Sequence, residues 1–130
     1  STPVESYAEL EARADFTHVV TVAAAGDGNG NSYYIGGSEQ IAMVATAGDV
    51  VIFDQSDSSN NTHPLRIYTD ASKTTEVTVG VTLKDGGGGL AFEPPISGTF
   101  SYQCASHPDM GGDITIFATR AEAEAAGATY

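Results

Sequence analysis

The sequence predicts an all-β protein, a Greek-key antiparallel β-sandwich of seven to eight strands with short terminal helical segments. Three observations predict it. Apolar residues recur with period two in short runs rich in Val, Ile, Thr and Tyr, the spacing that turns alternate side chains to one face of a pleated strand. Clusters of Gly, Pro, Asn, Asp and Ser bound those runs as turns. No long helical pattern separates them, so the strands are expected to meet through turns and loops, as in a sandwich. At 130 residues the chain has enough apolar side chains for one core and too few for two. A 41% hydrophobic and 17% charged composition places it among folded β-rich domains, away from disordered chains.

In chain order, residues 1–15 read as a leader or short helix, because Val4, Tyr7 and Leu10 lie at helical spacing among acids. Its first residues show no basic segment followed by an apolar one, so a signal peptide is expected to have been removed already or never to have existed. A sandwich domain is expected over residues 16–118. Phe16 to Ala24 alternates as its first strand, and Gly26 to Gly30 forms a turn. Tyr33 to Ile35 and Gln40 to Thr46 follow as short strands around Gly36 and Gly37, and Ala47, Gly48 and Asp49 turn the chain into the apolar run Val50 to Phe53. Asp54 to Thr62 is a polar loop, after which His63, Leu65 and Ile67 share one face of a strand and Arg66 takes the other. Glu76 to Leu83 is a further strand. Gly86 to Gly89 reads as a surface loop, since four glycines lose the most entropy in regular structure, and it lacks the lysine and helix of a phosphate loop. Pro94, Pro95 and Gly98 lead into a hairpin over Gly98 to Ile116. Residues 119–130 read as a short helix or tail, with a capping box at Thr119 and Glu122.

Seventeen acids against five bases give a net charge of −12. Nucleic acid, which needs clustered Lys and Arg, is excluded as a partner by that balance. No apolar run is long enough for a membrane-spanning helix. An acidic surface suits steering of a basic partner or solubility in salt.

The chemistry concentrates in the last hairpin. Phe100, Tyr102 and Cys104 share one strand face, and the loop that follows reads Cys-x-x-His-x-x-Met, placing Cys104, His107 and Met110 within reach of one centre. Cys104 is the only cysteine, so no intramolecular disulfide exists; the thiol is buried, reactive or a metal ligand. Of the three histidines, His18 lies within the first strand and reads as a half-buried strand residue, whereas His63, at the mouth of a strand, is placed to look into a site at the end of a sandwich. His63, Cys104, His107 and Met110 together make the two-imidazole, one-thiolate set with a thioether that favours copper and one-electron transfer. Zinc also accepts Cys and two His, although it rarely recruits a thioether. Without a metal, Cys104 is a small buried hydrophobe and Met110 a core plug.

The hairpin resembles the C-terminal signature of the cupredoxins, the small type 1 (blue) copper proteins such as plastocyanin, pseudoazurin and amicyanin. The likeness is carried by Gly98, Thr99, Phe100, Tyr102, Cys104, His107, Met110, Gly112, Ile114 and Ile116, and upstream by Ala47 to Phe53, which resembles the turn and strand before the first histidine ligand. It spans residues 40–118 and implies one Cu(I)/Cu(II) ion held by His63, Cys104, His107 and Met110. It also implies electron transfer through the exposed edge of His107, a periplasmic or extracellular home and a monomer. A patch drawn from Pro64, Ala105, Pro108 and Pro94 or Pro95 is expected around His107, with acids steering a basic redox partner elsewhere. The chain departs from the family at Pro64, which has no N–H to donate to the thiolate; the Ser106 amide is the expected substitute donor. Asp109, beside His107, adds negative charge that favours Cu(II), so Asp109→Asn is expected to raise the reduction potential measured by voltammetry.

Two other classes compete with an electron carrier. An enzyme with a type 2 or trinuclear copper centre is excluded, since only His18 remains once two histidines are used, but reaction of a mononuclear site with a small molecule such as nitric oxide is not. A surface or structural module would hold copper only incidentally.

Overall fold

A computed structural model describes residues 5–128; Val4, the first apolar position of the N-terminal helical pattern, lies outside them. The elements are α1 (Tyr7–Ala12), β1 (Phe16–Ala24), β2 (Asn31–Ile35), β3 (Ser38–Glu39), β4 (Met43–Thr46), β5 (Val51–Asp54), a 3-10 turn (Ser58–Asn60), β6 (Leu65–Tyr68), β7 (Val81–Leu83), β8 (Gly89–Phe92), β9 (Gly98–Cys104), β10 (Gly111–Phe117) and α2 (Arg120–Ala125). One sheet has the order β3-β2-β1-β5-β8-β7 and the other β4-β10-β9-β6. The chain passes from one sheet to the other between β3 and β4, β4 and β5, β5 and β6, β6 and β7, and β8 and β9. A β-sandwich is therefore the architecture, as the alternating runs predict.

Strand count and direction differ from expectation. Among the described residues ten strands form instead of seven or eight, and each sheet contains one parallel pair, β1 with β5 and β10 with β4, so the sheets are mixed and not wholly antiparallel. The length of β1 explains the first pair: Phe16–Val19 run parallel to Val51–Asp54, while Val20–Ala24 pair antiparallel with β2. A parallel partner needs a long crossover, and β2, β3 and β4 fill it. Extra strands arise where Gln40, with φ 43°, separates β3 from β4. The expected strand Glu76 to Leu83 shortens to β7, since Gly80 takes φ 79° against the Glu93 backbone, and Glu76 keeps only an isolated bridge to Tyr68.

The apolar run at β5 is continuous because both of its faces are covered. Val51 and Phe53 enter the core between the sheets with Val20, Tyr33, Leu65, Leu90, Phe92, Tyr102 and Ile114. Val50 and Ile52 face outward beneath Tyr7 and Leu10 of α1. That short helix starts at a capping box, in which Ser6 Oγ accepts from Glu9 N (3.2 Å) and Ser6 N donates to Glu9 Oε1 (3.3 Å). Packing of α1 also corrects the reading of the glycine tract. Gly86, Gly87 and Gly88 turn with positive φ, but Gly89 begins the buried strand β8, because the Tyr7 ring occupies the space a Cβ would need. Burial there pushes the Tyr7 phenol up to about 12. The Thr119 hydroxyl caps α2 by accepting from Glu122 N (3.1 Å).

His18 is half-buried on β1, its ring stacked on Phe16 at 6.5 Å and tilted against Phe53 at 5.8 Å. Burial holds its pKa below the ordinary 6.5. The unfolded chain therefore takes up this proton first as pH falls, so its stabilising contribution is complete above about 6.5 and declines below it. Urea unfolding at about pH 7.5 and 5.5 should show a smaller loss of stability for His18→Gln than for the parent.

Candidate metal centre

Strand register builds the site. Leu65 pairs with Cys104 across β6 and β9, and Gly111 pairs with Gln103 across β10 and β9, which sets His63, at the mouth of β6, beside the loop joining β9 to β10. The Cys104 sulfur lies 3.8 Å from His63 Nδ1 and 3.4 Å from His107 Nδ1. The two imidazoles are tilted by 37° with centroids 4.7 Å apart. Ligand atoms of all three residues lie within 4.8 Å of one another. Donors about 2.0–2.3 Å from one ion in a trigonal plane stand about 3.5–4 Å apart, so the cluster fits a single soft-to-borderline metal ion. Burial is graded across it: Cys104 is fully buried, His63 nearly so, and His107 is exposed. Burial, and then the neighbouring His107, hold the His63 pKa below its usual value, favouring the neutral ring that can ligate.

Met110 closes the same loop. Its carbonyl accepts from Cys104 N (2.8 Å), and its side chain is 1% exposed in the core that also holds Cys104. Ala105 N donates to Pro64 O (2.9 Å), tying the loop to β6. Among the described residues the Ser106 amide makes no hydrogen bond to the sulfur, whose partners are the two Nδ1 atoms, and Asp109 in the same loop takes φ 56°. His18 lies on the other sheet and takes no part in the cluster. Pro94 and Pro95 do not join His107. β8 runs antiparallel to β5, pairing Gly89 with Asp54 and Phe92 with Val51, and Gly48 N donates to Pro94 O (2.8 Å), so both prolines sit at the far end of the sandwich.

Residues that spacing did not single out hold His63, Cys104 and His107 in place. The His63 carbonyl accepts from Tyr33 Oη (2.6 Å) and Gln55 Nε2 (2.8 Å). Gln55 also accepts from Leu65 N (3.0 Å) and donates to Asn60 Oδ1 (3.0 Å), while Asn60 Nδ2 donates to Val20 O (2.7 Å). Tyr33 is fully buried, and burial followed by the nearby thiol raises its pKa strongly, so the phenol remains a donor. Lys73 Nζ donates to the carbonyls of Cys104 and His107, each at 3.0 Å. A cleft of about 270 Å³ opens beside the loop, between Asn29–Asn31 and His107–Met110.

No protein-family model matches the chain, and no curated protein matches it. Among solved structures, rusticyanin from Thiobacillus ferrooxidans is 17% identical, with 86% of this chain aligned to 94% of that one at a TM-score of 0.43. Auracyanin B is 15% identical over 79% of this chain and 89% of its own, at a TM-score of 0.48. A further structure, of the copper protein rusticyanin, is 21% identical over 77% of each chain at 0.45. The β-sandwich and the cluster of His63, Cys104 and His107 are the arrangement that the resemblance carried by the strand and loop motifs implies.

Proposed function

We propose that this chain is a mononuclear type 1 copper protein that carries single electrons between larger redox proteins in the periplasm or outside the cell. The observation that carries the proposal is the thiol of Cys104 flanked by the Nδ1 atoms of His63 and His107 at one end of the sandwich. In this reading His63, Cys104, His107 and Met110 would hold the copper. Bound copper would supply a one-electron change of valence. The chain's own contribution is rigidity: Tyr33 and Gln55 hold the His63 carbonyl, and Lys73 holds the carbonyls of Cys104 and His107, so the donors keep their spacing. Exposed His107 is the exit toward a partner, and the net charge of −12 favours a partner with a basic patch. Among the described residues no helix is long and apolar enough to cross a membrane, and we read the carrier as a monomer.

The test is to load the metal-free protein with Cu(II) and record stoichiometry and visible absorption. One copper per chain with an intense thiolate-to-copper band supports the proposal; no such band with Cys104 reduced overturns it. A second reading, reaction of the copper site with a small molecule such as nitric oxide, is favoured by the cleft beside His107 and Met110. Rapid mixing with nitric oxide distinguishes it, since a pure carrier keeps its band without forming an adduct.

A further inference from the structure

We propose that Lys73 is a positioning residue for the metal loop, and that its charge raises the reduction potential of the site. The proposal rests on the copper reading for the potential and on this chain alone for the loop. Lys73 lies 31 residues before Cys104 and 34 before His107, in a turn between β6 and β7. Its ammonium bridges the two ligand residues, donating to the Cys104 and His107 carbonyls at 3.0 Å each. These bonds close the loop from outside, as the Cys104 N–H to Met110 carbonyl bond closes it from within.

The turn is built to present that ammonium. Asp70 Oδ1 accepts from Thr74 N (3.2 Å) and Thr74 Oγ1 (3.1 Å), the Lys73 amide donates to Asp70 O (3.1 Å), and Thr69 N donates to Thr75 O (3.0 Å). Lys73 adopts φ 59°, a left-handed conformation that a long side chain rarely takes unless its surroundings hold it there. The side chain is half-buried, and among the described residues no carboxylate forms a salt bridge with it. An unneutralised positive charge therefore sits against the backbone of two ligands in a strongly acidic protein. Charge-assisted hydrogen bonds of this kind are roughly twice as strong as neutral ones. A fixed positive charge disfavours the more positive oxidised site and so raises the potential, opposite in sign to Asp109 on the same loop.

The experiment compares the parent with K73M, which removes charge and donors at similar length, and K73R, which keeps both. In the metal-free proteins, hydrogen exchange of the Cys104 and Ala105 amides reads the loop directly. Exchange about tenfold faster in K73M, with K73R near the parent, supports the positioning role, since local opening should scale with the lost bonds. Unchanged exchange in K73M overturns it. In the copper-loaded proteins, a lower potential in K73M that K73R restores supports the electrostatic part, and an unchanged or higher potential overturns that part. K73A, which also removes both the charge and the donors, gives the same two readings should K73M not fold. Failure of the parent to bind copper refutes the proposed function alone, because the exchange measurement needs no metal.

Discussion

Replacing Cys104 by serine is expected to abolish the intense visible band of the copper-loaded protein and to weaken copper binding by more than about a hundredfold. Outer-sphere partners alone are worth about 10–100-fold, and here the only soft anionic donor is lost. Oxygen in place of sulfur leaves two imidazoles and a thioether around a neutral hydroxyl, a poor match to Cu(I). The fold should survive, because Ser differs from Cys by one atom and the two histidine Nδ1 atoms beside the sulfur offer partners to the new hydroxyl. Burying that hydroxyl in place of a fully buried thiol still costs about 1–3 kcal/mol. Copper titration followed by absorption, beside urea unfolding of the metal-free protein, separates the two effects. An undiminished band in Cys104→Ser would remove Cys104 from the ligand set.

The largest effect on stability is expected at Gly111→Ala. Gly111 follows Met110 at the start of β10, where the backbone passes so close to β9 that a Cβ would run into the Tyr102 carbonyl oxygen and meet Gln103 Nε2 at 2.6 Å. Neither neighbour moves easily. Tyr102 and Gln103 are buried, and Gln103 Nε2 donates to Ser101 Oγ (2.6 Å). Relief requires β9 and β10 to separate, at a cost of about 3 kcal/mol or more and a fall in Tm of about 10 °C or more in a domain of this size. Because the same hairpin carries Cys104 and Met110, copper binding should weaken with it. Gly87→Ala provides the contrast: its Cβ would meet nothing within 4 Å, so only the positive φ of 85° opposes it, at about 1 kcal/mol. Thermal unfolding of the two variants checks the order; equal losses would mean that the close approach of β9 and β10 is not what requires glycine.

Much of the fold was legible because it is written in short-range alternation. The two-residue period of β1, β9 and β10 identified those strands, and the capping pair Thr119 with Glu122 lies within one helical turn. The strand β8 was not legible. Its four residues are all buried, Leu90 and Phe92 in the core and Ala91 beneath α1, so alternation vanishes; its first residue is a glycine whose reason is the Tyr7 ring, 82 positions earlier in the chain (89 − 7). Pro94 and Pro95 were misplaced for a related reason: which end of the sandwich they occupy depends on the direction of β8 against β5.

The sequence by itself determined the local part of the centre. Cys104, His107 and Met110 share one short loop between alternating strands, and covalent spacing alone keeps them near one another whatever the rest of the chain does. Only the tertiary structure decided the remainder. His63 reaches the sulfur from 41 residues away because β6 pairs with β9 in the register that sets Leu65 opposite Cys104, and a slip of one residue would turn the strand's core face outward. Tyr33, Gln55, Asn60 and Lys73 act on backbone carbonyls, which every residue possesses, so no motif marks their targets. Long-range register is chosen by the packing of the whole core and leaves no pattern in any one stretch of sequence.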